Sequence, residues 1–355
     1  MIVQQPDVKG GIAAVTSGYY GSRLEEDFDI RYVESYCDKG FVRMVLKAFK
    51  AYVRFFFLIR SFKPQLIHMH TSFGGSFYRM QPFLYMAKKR GIPVVDHLHG
   101  ADFESFYVNA SDKKKAKIRK VYGLCSKMIV LSDEWKANML QVYDSDRIEV
   151  VENYCKPQDE GKIEALMEKR FAGKQVLFLG ELGKRKGGYD FAKIAEGVLG
   201  KDKDVRFVFC GSGSEADEKA IKDSVALAAK DRAVFPGWVR GKDKEKLLEE
   251  SAVFLLPSYN EGLPMSVLDA MAYGLPVVST TVGGIPQIVR NGENGYVNKP
   301  GDCAAMADSI NRILAERAGY IDMSKKSLAI AKGSYSFDVH VKKIEEIYGS
   351  VIGEN

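Results

Sequence analysis

Short apolar runs and amphipathic helical patterns alternate along this chain, and the alternation runs through twice. Strands read at 29–34, 65–69, 93–98, 127–131 and 148–151, with helices at 12–24, 40–61, 77–90, 111–124 and 133–142. The series restarts with strands at 175–179, 205–210, 232–235, 252–256 and 276–279 and helices at 188–199, 214–229, 243–250 and 264–273. Amphipathic stretches at 302–317, 320–332 and 336–351 follow, and the polar stretch 153–161, with Pro157, reads as a linker. Strands that are apolar throughout can be buried only in a sheet covered on both faces, and strand–helix alternation builds such a sheet in parallel. The expectation is therefore α/β, with two doubly wound parallel sheets. A length of 355 residues suits two domains. The first strand reads as stubby.

Residues 257–284 narrow the chemistry. The apolar run 252–256 ends in a polar turn carrying Glu261, a helix opens at Pro264, where a missing N–H costs nothing, and the run 276–279 leads into Gly283-Gly284. Ligands of open parallel sheets sit beyond the carboxyl ends of the strands. Glu261 and Asp269 thus flank a helix N-terminus whose N–H groups, on Met265 and Ser266, suit a phosphate. The second notable loop is Phe178-Leu-Gly-Glu-Leu-Gly-Lys-Arg-Lys-Gly-Gly188. Its glycines let backbone close on a ligand, Arg185 can fork onto two phosphate oxygens, and Lys184 and Lys186 add point charges. The plainer readings are a solvated helix residue at Asp269 and a basic surface turn at 184–186.

These blocks resemble the C-terminal half of retaining glycosyltransferases with the GT-B fold, family 4 (glycosyl transferases group 1). The family signature is two acidic residues eight positions apart, then Ala-Met-Ala-x-Gly-x-Pro-Val and a Gly-Gly turn. Here these are Glu261, Asp269, Ala270–Val277 and Gly283-Gly284. The resemblance implies two Rossmann-like domains facing across a cleft. It implies that Glu261 holds sugar hydroxyls, that Asp269, one methylene shorter than the family's Glu, holds the ribose, and that Lys186 with Gly187 grips the nucleotide diphosphate. Where the family carries Arg after the first glycine this chain has Glu181, and Arg185 is placed to supply the guanidinium. The loops 210–214 and 236–239 line the base pocket by the same likeness, which brings in Trp238 and Val239. Trp238 reads equally as a packing residue.

In the first half, Val8-Lys-Gly-Gly-Ile-Ala-Ala14 is a turn into a helix, and Gly10 and Gly11 match the family's glycine loop facing sugar and phosphates. Four histidines form His68-x-His70 and His97-x-His99, each pair on one face of a strand end. By the resemblance His99-Gly100 is the family's His-Gly, contacting donor sugar or acceptor, and His70, Thr71 and Ser72 face the cleft. His68 and His97 read as structural histidines. The rival reading of the pairs is a metal site, for which Asp96, Asp102 and Glu104 are the nearby carboxylates. A dinucleotide fold is disfavoured because Gly-x-Gly-x-x-Gly is absent at every strand end.

Charge is uneven. Residues 1–155 carry 23 Lys+Arg against 17 Asp+Glu, and residues 156–355 carry 29 of each. The densest run is Lys113, Lys114, Lys115, Lys117, Arg119 and Lys120. It reads either as a solvated face or as a contact with an anionic membrane. No zinc-finger, RNP or helix-turn-helix pattern points to nucleic acid. Five cysteines without paired spacing imply reduced thiols, and no leader is visible at the N-terminus, so a cytoplasmic protein is expected. The apolar stretch 49–62 carries Lys50, Arg54 and Arg60 and does not read as a span.

The sequence thus yields specific expectations. Residues 1–155 form an acceptor-side domain, 156–335 a nucleotide-sugar domain, and 336–355 a helix packing back on the first. The chain is a metal-independent retaining hexosyltransferase with no cofactor. It uses a UDP- or GDP-sugar and a glycan or lipid-linked acceptor in surface polysaccharide biosynthesis. Alternatives are a catalytically impaired nucleotide- or glycan-binding protein and a metal hydrolase.

Overall fold

A computed structural model of the protein describes residues 1–353; the last two residues of the 336–355 segment lie outside the described residues. The chain divides into two compact units. One comprises Met1–Asn153 with the segment from Asp338 onward, and the other Tyr154–Phe337.

The first unit holds a six-stranded sheet of β1 (Ile2–Gln4), β2 (Val33–Tyr36), β3 (Ile67–Thr71), β4 (Val94–Leu98), β5 (Lys127–Val130) and β6 (Ile148–Val150). Its order is β2-β1-β3-β4-β5-β6 and every pairing is parallel. The direction of winding reverses between β1 and β3, which opens a crevice at their carboxyl ends. The second unit holds β7 (Gln175–Leu179), β8 (Arg206–Cys210), β9 (Ala233–Gly237), β10 (Val253–Leu256), β11 (Val277–Thr280) and β12 (Gly295–Asn298), ordered β12-β11-β10-β7-β8-β9, again all parallel. Here winding reverses between β7 and β10. The central strands β10 and β11 are buried at every residue, as double coverage demands. β9 lies at the edge, where Pro236 costs no ladder bond.

Four elements depart from the sequence expectation. The strand expected at 29–34 lies at Val33–Tyr36. The helix read at 12–24 breaks into Gly11–Ser17 and Arg23–Asp27. β12 has no counterpart in the sequence pattern, because Gly295 and the Asn291–Asn294 turn obscure a four-residue strand. The stretch read as linker runs straight into a helix, Glu160–Gly173, whose N-terminus is capped by the Asp159 carboxylate accepting from the Lys162 N–H at 2.9 Å. This helix carries Arg170, which is wholly buried and interrupts the apolar stripe of Ile163 and Met167. Its guanidinium donates to the carbonyls of Glu249, Tyr273 and Leu248 at 2.8, 2.8 and 3.1 Å. These are orphan carbonyls at the ends of the helices Lys242–Glu250 and Met265–Ala272, so a buried cation here caps two helices at once.

All five cysteines are buried free thiols. Among the described residues no helix is long and apolar enough to cross a membrane.

Candidate active site

The winding reversal of the second unit places the loop after β7 beside the loop after β10. Lys186 comes from the first and Glu261 from the second, and the Lys186 ammonium donates to the Glu261 carboxylate at 2.5 Å. Glu261 is 5% exposed. A carboxylate so nearly dry is tolerable only when paired, and the sequence separation of 75 residues shows that the fold, not local structure, makes the pair.

The two loops are locked together by close backbone approach. Gly187 has φ of 75°, and a Cβ there would lie 1.9 Å from the Pro257 carbonyl oxygen. Gly283, with φ of 57°, would place a Cβ 2.2 Å from the Glu261 carbonyl oxygen, and the Gly284 N–H donates to the Gly262 carbonyl at 2.7 Å. Both positions require glycine for conformation and for space. The Ser258 hydroxyl donates to the Arg185 carbonyl at 3.0 Å, and the Tyr259 N–H donates to the same oxygen at 2.8 Å. The Thr280 hydroxyl then holds the Ser258 carbonyl at 2.6 Å. Ser258 and Thr280 were not singled out in the sequence; a hydroxyl at the end of a buried strand is their only signal.

Arg185 is more exposed. It donates to the Glu181 carboxylate at 2.8 Å and to the Asn260 carbonyl at 3.4 Å. The departure from the family pattern at Glu181 is thus matched by an arginine four residues later in direct contact with it. Pro264 is the cap of the helix Met265–Ala272, one position before the first helical residue expected for it. Its carbonyl accepts from the N–H groups of Val267 and Leu268, so those of Met265 and Ser266 precede the first intrahelical bond. Asp269, a turn further on, pairs with Lys244 at 2.9 Å. Trp238 and Val239 follow the edge strand β9, and Trp238 is about half exposed.

The first unit brings the histidines together. His68 and His70 lie on β3, His97 on β4 and His99 just beyond β4, all on one face of the sheet. Ring centroids are 4.3 Å apart for His68–His70, 4.9 Å for His70–His97 and 4.3 Å for His97–His99. His340, the fifth, closes the row 6.2 Å from His97. His99 Nε2 and His70 Nδ1 share a hydrogen bond of 2.9 Å. His68 Nδ1 is bonded to the Tyr348 hydroxyl at 2.6 Å and His340 Nε2 to the Tyr19 hydroxyl at 2.7 Å. Burial holds the whole row neutral, pushing His99 down to about 3, His340 to about 4, and His68, His70 and His97 well below the usual imidazole range.

His68, His70 and His97 offer nitrogen atoms within 4.8 Å of one another, the spacing of a metal site. Among the described residues no carboxylate joins them. Asp96 alternates to the opposite face of β4, among Met69, Tyr122 and Cys125. Gly10 and Gly11 stand at the start of the Gly11–Ser17 helix, beyond β1 and so beside the crevice of the first unit, and a Cβ on either would meet no atom within 4 Å. Gly100 is different: Phe73 fills its side-chain space at 2.5 Å, a packing reason for the glycine after His99.

Comparison with known proteins agrees with this anatomy. Residues 173–316 match the family model described as Glycosyl transferases group 1, and residues 13–157 match that of Glycosyltransferase Family 4. The chain is 27% identical over 318 residues, 82% of its length, to a D-inositol 3-phosphate glycosyltransferase of Salinispora tropica, and spans 64% of that relative. It is 25% identical over 327 residues to the UDP-Gal:alpha-D-GlcNAc-diphosphoundecaprenol alpha-1,3-galactosyltransferase of Escherichia coli, covering 86% of this chain and 80% of that one. The crystal structure of Anabaena HepE in complex with UDP superposes with a TM-score of 0.71 at 17% identity, over 90% of this chain and 86% of HepE. With two parallel-sheet units and both family models matched, the chain belongs to the family 4 glycosyltransferases of GT-B fold.

Proposed function

We propose that the protein is a retaining hexosyltransferase that moves a sugar from a UDP- or GDP-activated donor to a glycan or lipid-linked acceptor, without a metal ion, in surface polysaccharide assembly. The observation that carries this reading is the Lys186–Glu261 pair at the winding reversal of the second unit, beside the free N-terminus of the Met265–Ala272 helix. Lys186, Arg185 and the N–H groups of Met265 and Ser266 are the cations and donors for a diphosphate. Glu261 is then released from Lys186 to hold sugar hydroxyls, Asp269 takes the ribose, and Trp238 with Val239 takes the base. Gly10 and Gly11 leave room for a ligand, and His99, kept neutral, orients sugar or acceptor.

In the transfer, the bond from the sugar's anomeric carbon to the diphosphate oxygen breaks. A bond to the acceptor oxygen forms on the same face, and the acceptor's proton passes to the leaving phosphate. The names of relatives support the class of donor: the Escherichia coli protein's name specifies UDP-Gal and a diphosphoundecaprenol-linked acceptor, and HepE was crystallised with UDP. The basic helix Asp112–Tyr122 would bring the chain to the anionic surface on which a lipid-linked acceptor resides.

The test is an assay of UDP- and GDP-sugars against polyprenyl-diphosphate and free-glycan acceptors, with the new linkage read by NMR. Retention of the donor's anomeric configuration, unchanged by a chelator, is expected. Glu261→Gln should lose turnover by orders of magnitude while nucleoside diphosphate still binds. Inverted linkages or chelator-sensitive turnover would contradict the reading, and nucleotide binding with no transfer to any acceptor would favour the impaired binding protein.

A further inference from the structure

The helix Phe41–Ser61 is apolar around more of its circumference than its packing requires. One stripe, Ala48, Ala51, Phe55 and Ile59, is buried in the core of the first unit. It meets the helix Gly75–Lys88 through Tyr52 and Phe55, whose rings lie 4.8 and 5.1 Å from that of Phe83. A second stripe, Val42, Leu46, Phe49, Val53 and Phe56, recurs at steps of four and three residues and faces out, widened by Phe41 and Phe57. Phe41, Phe49 and Phe57 are 75%, 63% and 62% exposed. Water alone does not explain such a surface; contiguous exposed apolar residues of this kind mark an interaction site.

The charges on the helix say what covers it. A third row, Arg43, Lys47, Lys50 and Arg54, runs at the same spacing between the buried and exposed stripes. The helix carries five basic residues and no acidic one. Lys47 pairs with Glu34 at 2.6 Å, whereas Arg43, Lys50 and Arg54 have no carboxylate partner among the described residues. Neighbouring elements continue the chemistry: Tyr78 and Tyr85 of the Gly75–Lys88 helix are exposed, and Lys117 of the basic run lies 5.3 Å over the Tyr78 ring.

A second copy of the chain fits this surface poorly, because a two-fold contact would set the cationic row against itself. An anionic bilayer fits both features, the aromatic and aliphatic stripe entering the acyl boundary and the cations meeting lipid phosphates. At 21 residues with five cations, the helix suits lying in the interface, not crossing it.

We propose that the Phe41–Ser61 helix is an interfacial membrane helix that docks the first unit on an anionic bilayer, with Leu46, Phe49 and Phe57 inserted and Arg43, Lys50 and Arg54 at the headgroups. The proposal deepens the reading of a membrane-presented acceptor and rests on it only for its purpose. It also shifts the main contact from the run Lys113–Lys120, where charge alone was legible, to an apolar helix.

Flotation of the full-length protein with vesicles of one part phosphatidylglycerol to two parts phosphatidylcholine tests it, at about 0.1 M and about 1 M salt. The wild type should float at low salt and keep part of its binding at high salt, since insertion is not screened. The triple variant Leu46→Ser, Phe49→Ser, Phe57→Ser should bind about tenfold or more weakly at both salts. These side chains are exposed, so its thermal melt should match wild type. Arg43→Gln, Lys50→Gln and Arg54→Gln together should remove the salt-sensitive part. A Phe49→Trp variant should show blue-shifted emission on vesicles, quenched by brominated acyl chains.

The proposal is overturned if the wild type does not float, if the serine variant floats like wild type, or if Trp emission is unchanged on floated protein. It is also overturned if the serine substitutions only dissolve a dimer. Titration of UDP and GDP runs in parallel: intact nucleotide binding without flotation removes this proposal alone, and flotation without nucleotide binding removes the transferase reading alone.

Discussion

The Lys186 ammonium lies 2.5 Å from the Glu261 carboxylate, and the side chains of the pair are 14% and 5% exposed. Removing the ammonium leaves a nearly buried carboxylate without its cation. Lys186→Ala should therefore destabilise the protein by about 3–5 kcal/mol, the cost of an uncompensated buried charge, where an exposed pair would cost less than about 1 kcal/mol. The double variant Lys186→Met, Glu261→Gln should recover most of that loss while remaining inactive. Denaturant unfolding measures both. A single variant as stable as wild type would mean that the pair is solvated.

Asp269 sits 2.9 Å from Lys244, a partner in an adjacent helix. If Asp269 turns to the ribose when a nucleotide binds, Asp269→Ala should weaken nucleoside diphosphate binding by about 1.5–3 kcal/mol, the worth of a hydrogen bond to a charged group. The preference for ribo- over 2′-deoxyribonucleotide should vanish with it, while Asp269→Glu should retain the preference. A variant that still distinguishes the two sugars would place the ribose elsewhere.

The buried histidines set a pH limit on stability. Their folded-state values lie below the free value of 6.5, so between about 4 and 6.5 the unfolded chain holds more protons than the folded one. Stability is then full above about pH 7 and falls as the pH drops through 6.5, each histidine adding up to about 1.4 kcal/mol per pH unit. Asp96 opposes one of them: burial raises its carboxyl to about 7 from 3.8, so its contribution is retained in acid and lost as the pH rises toward 7. The unfolding midpoint in denaturant should fall steeply between pH 7 and pH 5. An unchanged midpoint over that range would mean that the histidine row is hydrated.

Much of this was legible in the sequence because parallel strands announce themselves as continuous apolar runs. Ten of the strands and most helices follow from that pattern, as does the placement of Glu261, Lys186 and Arg185 on loops at strand ends. What escaped reading was made by tertiary structure. Arg170 is buried for three distant carbonyls, so the apolar stripe of the helix Glu160–Gly173 is interrupted. Lys244 meets Asp269 across two helices, and His340 joins residues more than 240 positions away. No local spacing encodes such contacts. The sequence pattern predicts the helix Phe41–Ser61, but only exposure separates its inward stripe from its outward one.

Isothermal titration of UDP and of GDP into wild type and Lys186→Ala tests the central claim most directly. One of the two nucleotides should bind the wild type, and the variant, checked for folding by its far-ultraviolet spectrum, should lose about tenfold or more in affinity through the missing charge-assisted contact. Failure of the wild type to bind either nucleotide, or equal affinity in a folded variant, would contradict the assignment of the Lys186–Glu261 crevice as the donor site.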